Sequence, residues 1–150
     1  MSISRRKGRS VLWLVSALLF ITGVVIGAGV IPRIYSSPYA GPGAFISICW
    51  SCVIFSGVAA IVMGSLAACS RNLNLSSGIL LASIMLIALL FFFGLNEAAF
   101  DFDSRGPAEQ SVAGMLHLCT AINFGVALLI VIAVMLLPKR THRTYGASAS

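Results

Sequence analysis

Apolar residues fall into four long runs along this chain, at 11–31, 44–69, 75–95 and 112–137, each free of Asp, Glu, Lys and Arg. About 20 apolar residues in a helix cross a hydrocarbon core of about 30 Å, so each run predicts one spanning helix. The first runs from VLWLV to GAGVI and is expected to stop at Pro32-Arg33. The second follows the turn-rich SSPYAGPG and ends before Ser70-Arg71-Asn72. The third finishes in FFFGL ahead of Asn96-Glu97, and the fourth is stopped by Pro138-Lys139-Arg140. None of the runs alternates in polarity as a membrane β-barrel strand would. The pattern therefore predicts an all-α, integral membrane four-helix bundle in a single domain, with short tails at 1–10 and 138–150.

Composition agrees and narrows the class. Of 150 residues, 59% are apolar and 9% charged, with a mean hydropathy of +1.01. Soluble domains run near 45–50% apolar and about 25% charged. Disorder is excluded too, since it needs low hydrophobicity and high charge.

Charge gives the orientation. Arg5, Arg6, Lys7 and Arg9 precede the first run, Arg71 lies between the second and third, and Lys139, Arg140 and Arg143 follow the fourth. The other side holds only Arg33 and Arg105, together with Glu97, Asp101, Asp103 and Glu109. Lys and Arg accumulate on cytoplasmic flanks, so both termini are expected in the cytoplasm. The pI near 9.7 then reflects topology. The N-terminal RRKGR is expected to meet anionic lipid, and no aromatic or motif context suggests nucleic acid. The same stretch resembles the basic start of a signal peptide, but the apolar core that follows exceeds the usual 7–15 residues. The expected location is integral and multi-pass, in the plasma membrane or an endomembrane.

Helices meet in lipid through small residues that let backbones approach. Gly23 and Gly27 form a GxxxG, with Ser16 seven residues earlier. Ser56, Ala60, Gly64 and Ala68 are spaced four apart in the second run, and Ala113, Gly114, Ala121 and Gly125 mark the fourth. The third run has fewer small residues and is expected to be the most lipid-exposed. These stripes predict helix packing within the bundle, with self-association as the alternative for each.

Candidate chemistry is sparse. His117 is the one ionisable group besides cysteine within a run, which makes it a functional candidate; with Thr120 and Asn123 it forms a candidate intramembrane polar site. Cys49 and Cys52 form a CxxC, a candidate redox pair or half of a metal site. His117 and Cys119 lie at a similar depth, but two residues along a helix turn about 200°, so both cannot face one ion. No metal, cofactor or catalytic residue is expected. Cys69 ends the second run, where palmitoylation is plausible. The segment NEAAFDFDSRGPAEQS at 96–111 reads as a solvated outer loop that a partner could touch, and it lacks the EF-hand spacing. Asn74-Leu75-Ser76 matches a glycosylation acceptor but falls on the cytoplasmic side.

Cys49 and Cys52 on a four-span chain resemble the quinone-linked thiol oxidoreductases, which also use a loop cysteine pair that is missing here. The layout, with FSGVAAIVMGSLAACSRNLNLSSGILLAS at 55–83, resembles the membrane-spanning four-domain family, whose Gly-Ser-Leu element corresponds to Gly64, Ser65 and Leu66. MARVEL-type proteins share the layout, whereas the loop signatures of claudins and tetraspanins are absent. The resemblances to the membrane-spanning four-domain and MARVEL-type proteins imply a non-enzymatic membrane organiser or accessory subunit. The expected function is thus a structural, scaffolding or regulatory subunit that contacts other membrane proteins or copies of itself. A small homo-oligomeric channel or transporter is the alternative, and a thiol oxidoreductase the third.

Overall fold

The computed structural model describes residues 2–36, 43–69, 75–107 and 109–136, and every regular element among them is helical. Helix α1 (Ser2–Val24) continues through a π-helical segment (Val25–Val30) into α2 (Ile31–Ser36). These three pieces make one rod; α3 (Gly43–Cys69), α4 (Leu75–Asp103) and α5 (Gln110–Leu136) make three more. All four rods are long and apolar enough to cross a membrane.

Helix α1 begins at Ser2, within the segment expected to be a tail, and two further boundaries differ from the sequence expectation. Pro32 does not stop the first helix. A proline inside a helix lacks an N–H and its ring collides with the carbonyl four residues back. Here the turn before it is widened, with the Ile31 N–H reaching the Ile26 carbonyl five residues away. That π turn absorbs the ring, and the rod runs on to Ser36. The second difference is at 96–111, where α4 continues eight residues past Leu95. The Phe-Asp-Phe-Asp stretch is therefore helix rather than loop. Phe102 turns inward against Phe45 at 5.2 Å between ring centroids, while Asp101 turns outward and pairs with Arg105 one helical turn on. The connection that remains is short. It turns at Gly106, whose φ of 132° suits glycine, and the carbonyl of the buried Glu109 accepts from the Val112 and Ala113 N–H groups to open α5.

Neighbouring rods are antiparallel. Arg9 of α1 reaches the end of α3, donating from Nε to the Ala67 carbonyl at 2.7 Å and from Nη2 to the Ala68 carbonyl at 3.2 Å. A cation there satisfies carbonyls that no helical N–H can reach. Arg9 is therefore committed to the protein, and Arg6 and Lys7 stand exposed beside it. The side chain of Arg5, Arg71, Asn74 and the tail at 138–150 lie outside the described residues.

The first rod packs along both α3 and α5, and α5 packs along α4. Among adjacent rods α3 and α4 share the fewest backbone neighbours, and phenylalanine pairs bridge them: Phe45 with Phe102, and Phe55 with Phe91 at 5.4 Å. Helix α4 is the least buried of the four rods.

Candidate functional site

The interior divides into two apolar clusters stacked along the bundle. One, toward the end that carries the start of α1, gathers Leu12, Val15, Leu19, Ala59, Met63, Ala88, Val126 and Ile130. The other, toward the far end, gathers Ile26, Val30, Cys49, Cys52, Leu95, Leu116 and Cys119. Each rod passes from one cluster to the other, and the residue at the crossing can be counted off. On α1 it lies between Leu19 and Ile26, at Thr22. On α3 it lies between Cys52 and Ala59, at Ser56. On α5 it lies between Cys119 and Val126, at Asn123. All three are fully buried, at 0% exposure. On α4 the corresponding place, between Ala88 and Leu95, is taken by Phe91, which packs on Phe55. Three polar side chains from three rods and one aromatic ring from the fourth thus form a layer across the middle of the bundle.

Each polar group is held locally. Thr22 Oγ1 donates to the Leu18 carbonyl at 3.1 Å, and Thr120 Oγ1 to the Leu116 carbonyl at 2.8 Å. Asn123 Nδ2 donates to the Cys119 carbonyl at 2.9 Å. Ser56 Oγ faces the Cys52 thiol at 3.9 Å. Asn123 Oδ1 is the buried side-chain oxygen that finds no donor among the described residues.

The candidate site of His117, Thr120 and Asn123 does not form a common lining. Six residues along a helix turn about 600°, which leaves His117 roughly 120° from Asn123. His117 is half-buried, its ring edge-on to exposed Phe100 at 5.4 Å, whereas Thr120 and Asn123 point into the interior.

The structure does gather the thiols. Cys49, Cys52 and Cys119 are free, buried and members of the same apolar cluster. Among the described residues no group of three His, Cys, Asp or Glu side chains is placed to hold a metal ion. Buried thiols in apolar surroundings are poor nucleophiles. Cys69 is exposed at the end of α3.

Of the packing stripes, the one between α1 and α3 is in contact. Ser16 Oγ donates to the Ala60 carbonyl at 2.7 Å. A side chain added at Gly23 would meet Ser56 Cβ at 3.4 Å, one at Gly27 would meet Val53, and one at Gly64 would meet Ser16 and Trp13. Ala68 is a correction: it is exposed, and Ala67 is the buried residue. A spacing of four advances a helical face by about 40° per step, so a stripe begun at Ser56 has rotated about 120° by Ala68.

Gly114, Ala121 and Gly125 are a larger correction. Gly114 and Ala121 are exposed, and a side chain added at Gly114 or Gly125 would meet nothing within 4 Å. The inward face of α5 instead carries Ala113, Leu116, Cys119, Asn123, Ala127, Ile130 and Ala133. The small stripe faces away from the bundle, in line with the exposed Leu118 and Leu128. Sequence reasoning missed the layer of Thr22, Ser56 and Asn123. Its signal was present, because each is the polar residue three or four positions from apolar neighbours on the same helical face.

Comparison with protein families, with curated proteins and with solved structures finds no match to this chain.

Proposed function

We propose that this chain, with its four membrane-length helices, is a four-pass membrane protein that serves as a non-enzymatic structural or regulatory subunit of a membrane assembly. Both termini lie in the cytoplasm on this reading, because eight of its ten basic residues fall at that end. The observation that carries the proposal is the outward small stripe of α5. Small residues are useful in lipid where another helix comes close, since they let backbones approach and gain dispersion contacts. Inside this bundle Gly114, Ala121 and Gly125 have no helix to receive. A transmembrane helix of another protein, or of a second copy, fits that face.

No comparable observation favours the channel. Thr120 and Asn123 are enclosed, and apolar clusters lie on both sides of the polar layer. Nor does one favour thiol exchange, since Cys49 and Cys52 are buried.

The test is extraction in a mild detergent, followed by sizing and mass spectrometry of whatever co-purifies. A complex that dissociates in the Gly114→Leu, Ala121→Leu double variant supports the reading. A single copy without companions overturns it.

A further inference from the structure

We infer that the centre of the bundle binds one water molecule, held by Asn123 of α5 in the polar layer it shares with Thr22 of α1 and Ser56 of α3. The inference starts from the unpartnered Asn123 Oδ1, on a side chain that is fully buried. Its orientation is fixed by the other end of the amide. Nδ2 donates to the Cys119 carbonyl, and exchanging the two atoms would set oxygen against oxygen. A buried acceptor left without a donor loses the hydrogen bond it would have made in water, so such groups are almost always satisfied.

The hydroxyls nearby do not supply the donor. Those of Thr22 and Thr120 are spent on carbonyls of their own helices, and that of Ser56, 3.9 Å from the Cys52 sulfur with either group able to donate, makes no hydrogen bond to Oδ1. Among the described residues no donor reaches Oδ1, so one from outside them completes it. Leu19, Ala59 and Val126 of one apolar cluster and Ile26, Cys52, Leu116 and Cys119 of the other are each at 0–3% exposure, so this level is shut off from bulk solvent. Water is the smallest donor that can serve a buried acceptor.

Water also has the right valence. A buried water needs two to four polar partners. It can donate one hydrogen to Asn123 Oδ1 and the other to a free lone pair of Thr22 Oγ1. It can accept from the Ser56 hydroxyl, whose present contact with sulfur is long. Three rods would then be joined at mid-depth through one molecule, at the level where their side chains change from one apolar cluster to the other.

The experiment is magnetic resonance on the full chain, labelled with ¹⁵N-asparagine, in lipid nanodiscs with deuterated acyl chains. The expected result is a cross-peak from the Asn123 side-chain amide protons to a long-lived water, lost or strongly weakened in Thr22→Val. Two results overturn the inference. One is an Asn123 amide that is visible and protected but shows no water contact. The other is a cross-peak to a lipid hydroxyl in its place. Because Thr22→Val is nearly isosteric, its helical content by circular dichroism checks that the bundle is intact. Ser56→Ala gives an independent second variant with the same expected loss.

Discussion

Ser16 of α1 donates a 2.7 Å hydrogen bond to the carbonyl of Ala60 in α3, and Gly64 is the residue that leaves room for it. One turn beyond Ala60, a Cβ at position 64 would stand 3.4 Å from Ser16 Oγ and 3.5 Å from the Trp13 ring. The close approach of the two helices thus leaves room for no more than a methyl group at a place where a hydroxyl crosses between them.

The first prediction follows from those distances. Gly64→Ala keeps ordinary van der Waals contact and gains about 0.5–1 kcal/mol of helix preference, so stability should hold or rise slightly. Gly64→Leu must displace Ser16 or Trp13 and should cost about 1–3 kcal/mol, as overpacking does. Reversible unfolding in mixed detergent micelles reads both. Equal stability of the two variants would remove Gly64 from the interface.

Helix α5 supplies a second comparison. Ala113 is buried against the far cluster, and Ala121 faces outward. Ala113→Leu should therefore cost about 1–3 kcal/mol, and Ala121→Leu should change the stability of the isolated chain by less than about 0.5 kcal/mol. The opposite order would mean that the helix is rotated from the orientation described.

The thiols should divide by burial. Cys69 is expected to react with a maleimide in the folded, detergent-solubilised protein, while Cys49, Cys52 and Cys119 react only after denaturation. Mass spectrometry counts the adducts. More than one adduct before unfolding would show that the far cluster opens.

Charge gives the expected topology. A protease site placed on either terminus should resist cleavage in sealed right-side-out vesicles and become cleavable once they are permeabilised. Cleavage of either tag in sealed vesicles would reverse the assignment of the termini to the cytoplasm.

Much of the architecture is written in residue content alone. Four uncharged apolar runs suffice for four helices, because length and hydropathy are one-dimensional properties. Charge at the flanks gives an expected orientation for the same reason. The face each helix turns inward is a different matter. A helix that is apolar all round has no polar side to mark its exterior, so Gly114 and Ala121 look as suited to the interior as Ala113 and Cys119. The widest stripe of small residues on α5 proved to face outward. Helix ends escaped a linear reading as well. Pro32 stops an ordinary helix but not one that widens by a residue, and Asp101 and Asp103 are polar but sit on the outer side of a helix whose inner side carries Phe102. Above all, whether Thr22, Ser56 and Asn123 lie at one level depends on how far each rod slides along its neighbours. The contacts of Gly23 with Ser56 and of Arg9 with Ala67 set that register. Sequence determined that there are four rods of membrane length and which of their ends carries the positive charge. Tertiary packing decided which side chains are enclosed, because in a chain this uniformly apolar only the contacts between helices distinguish inside from outside.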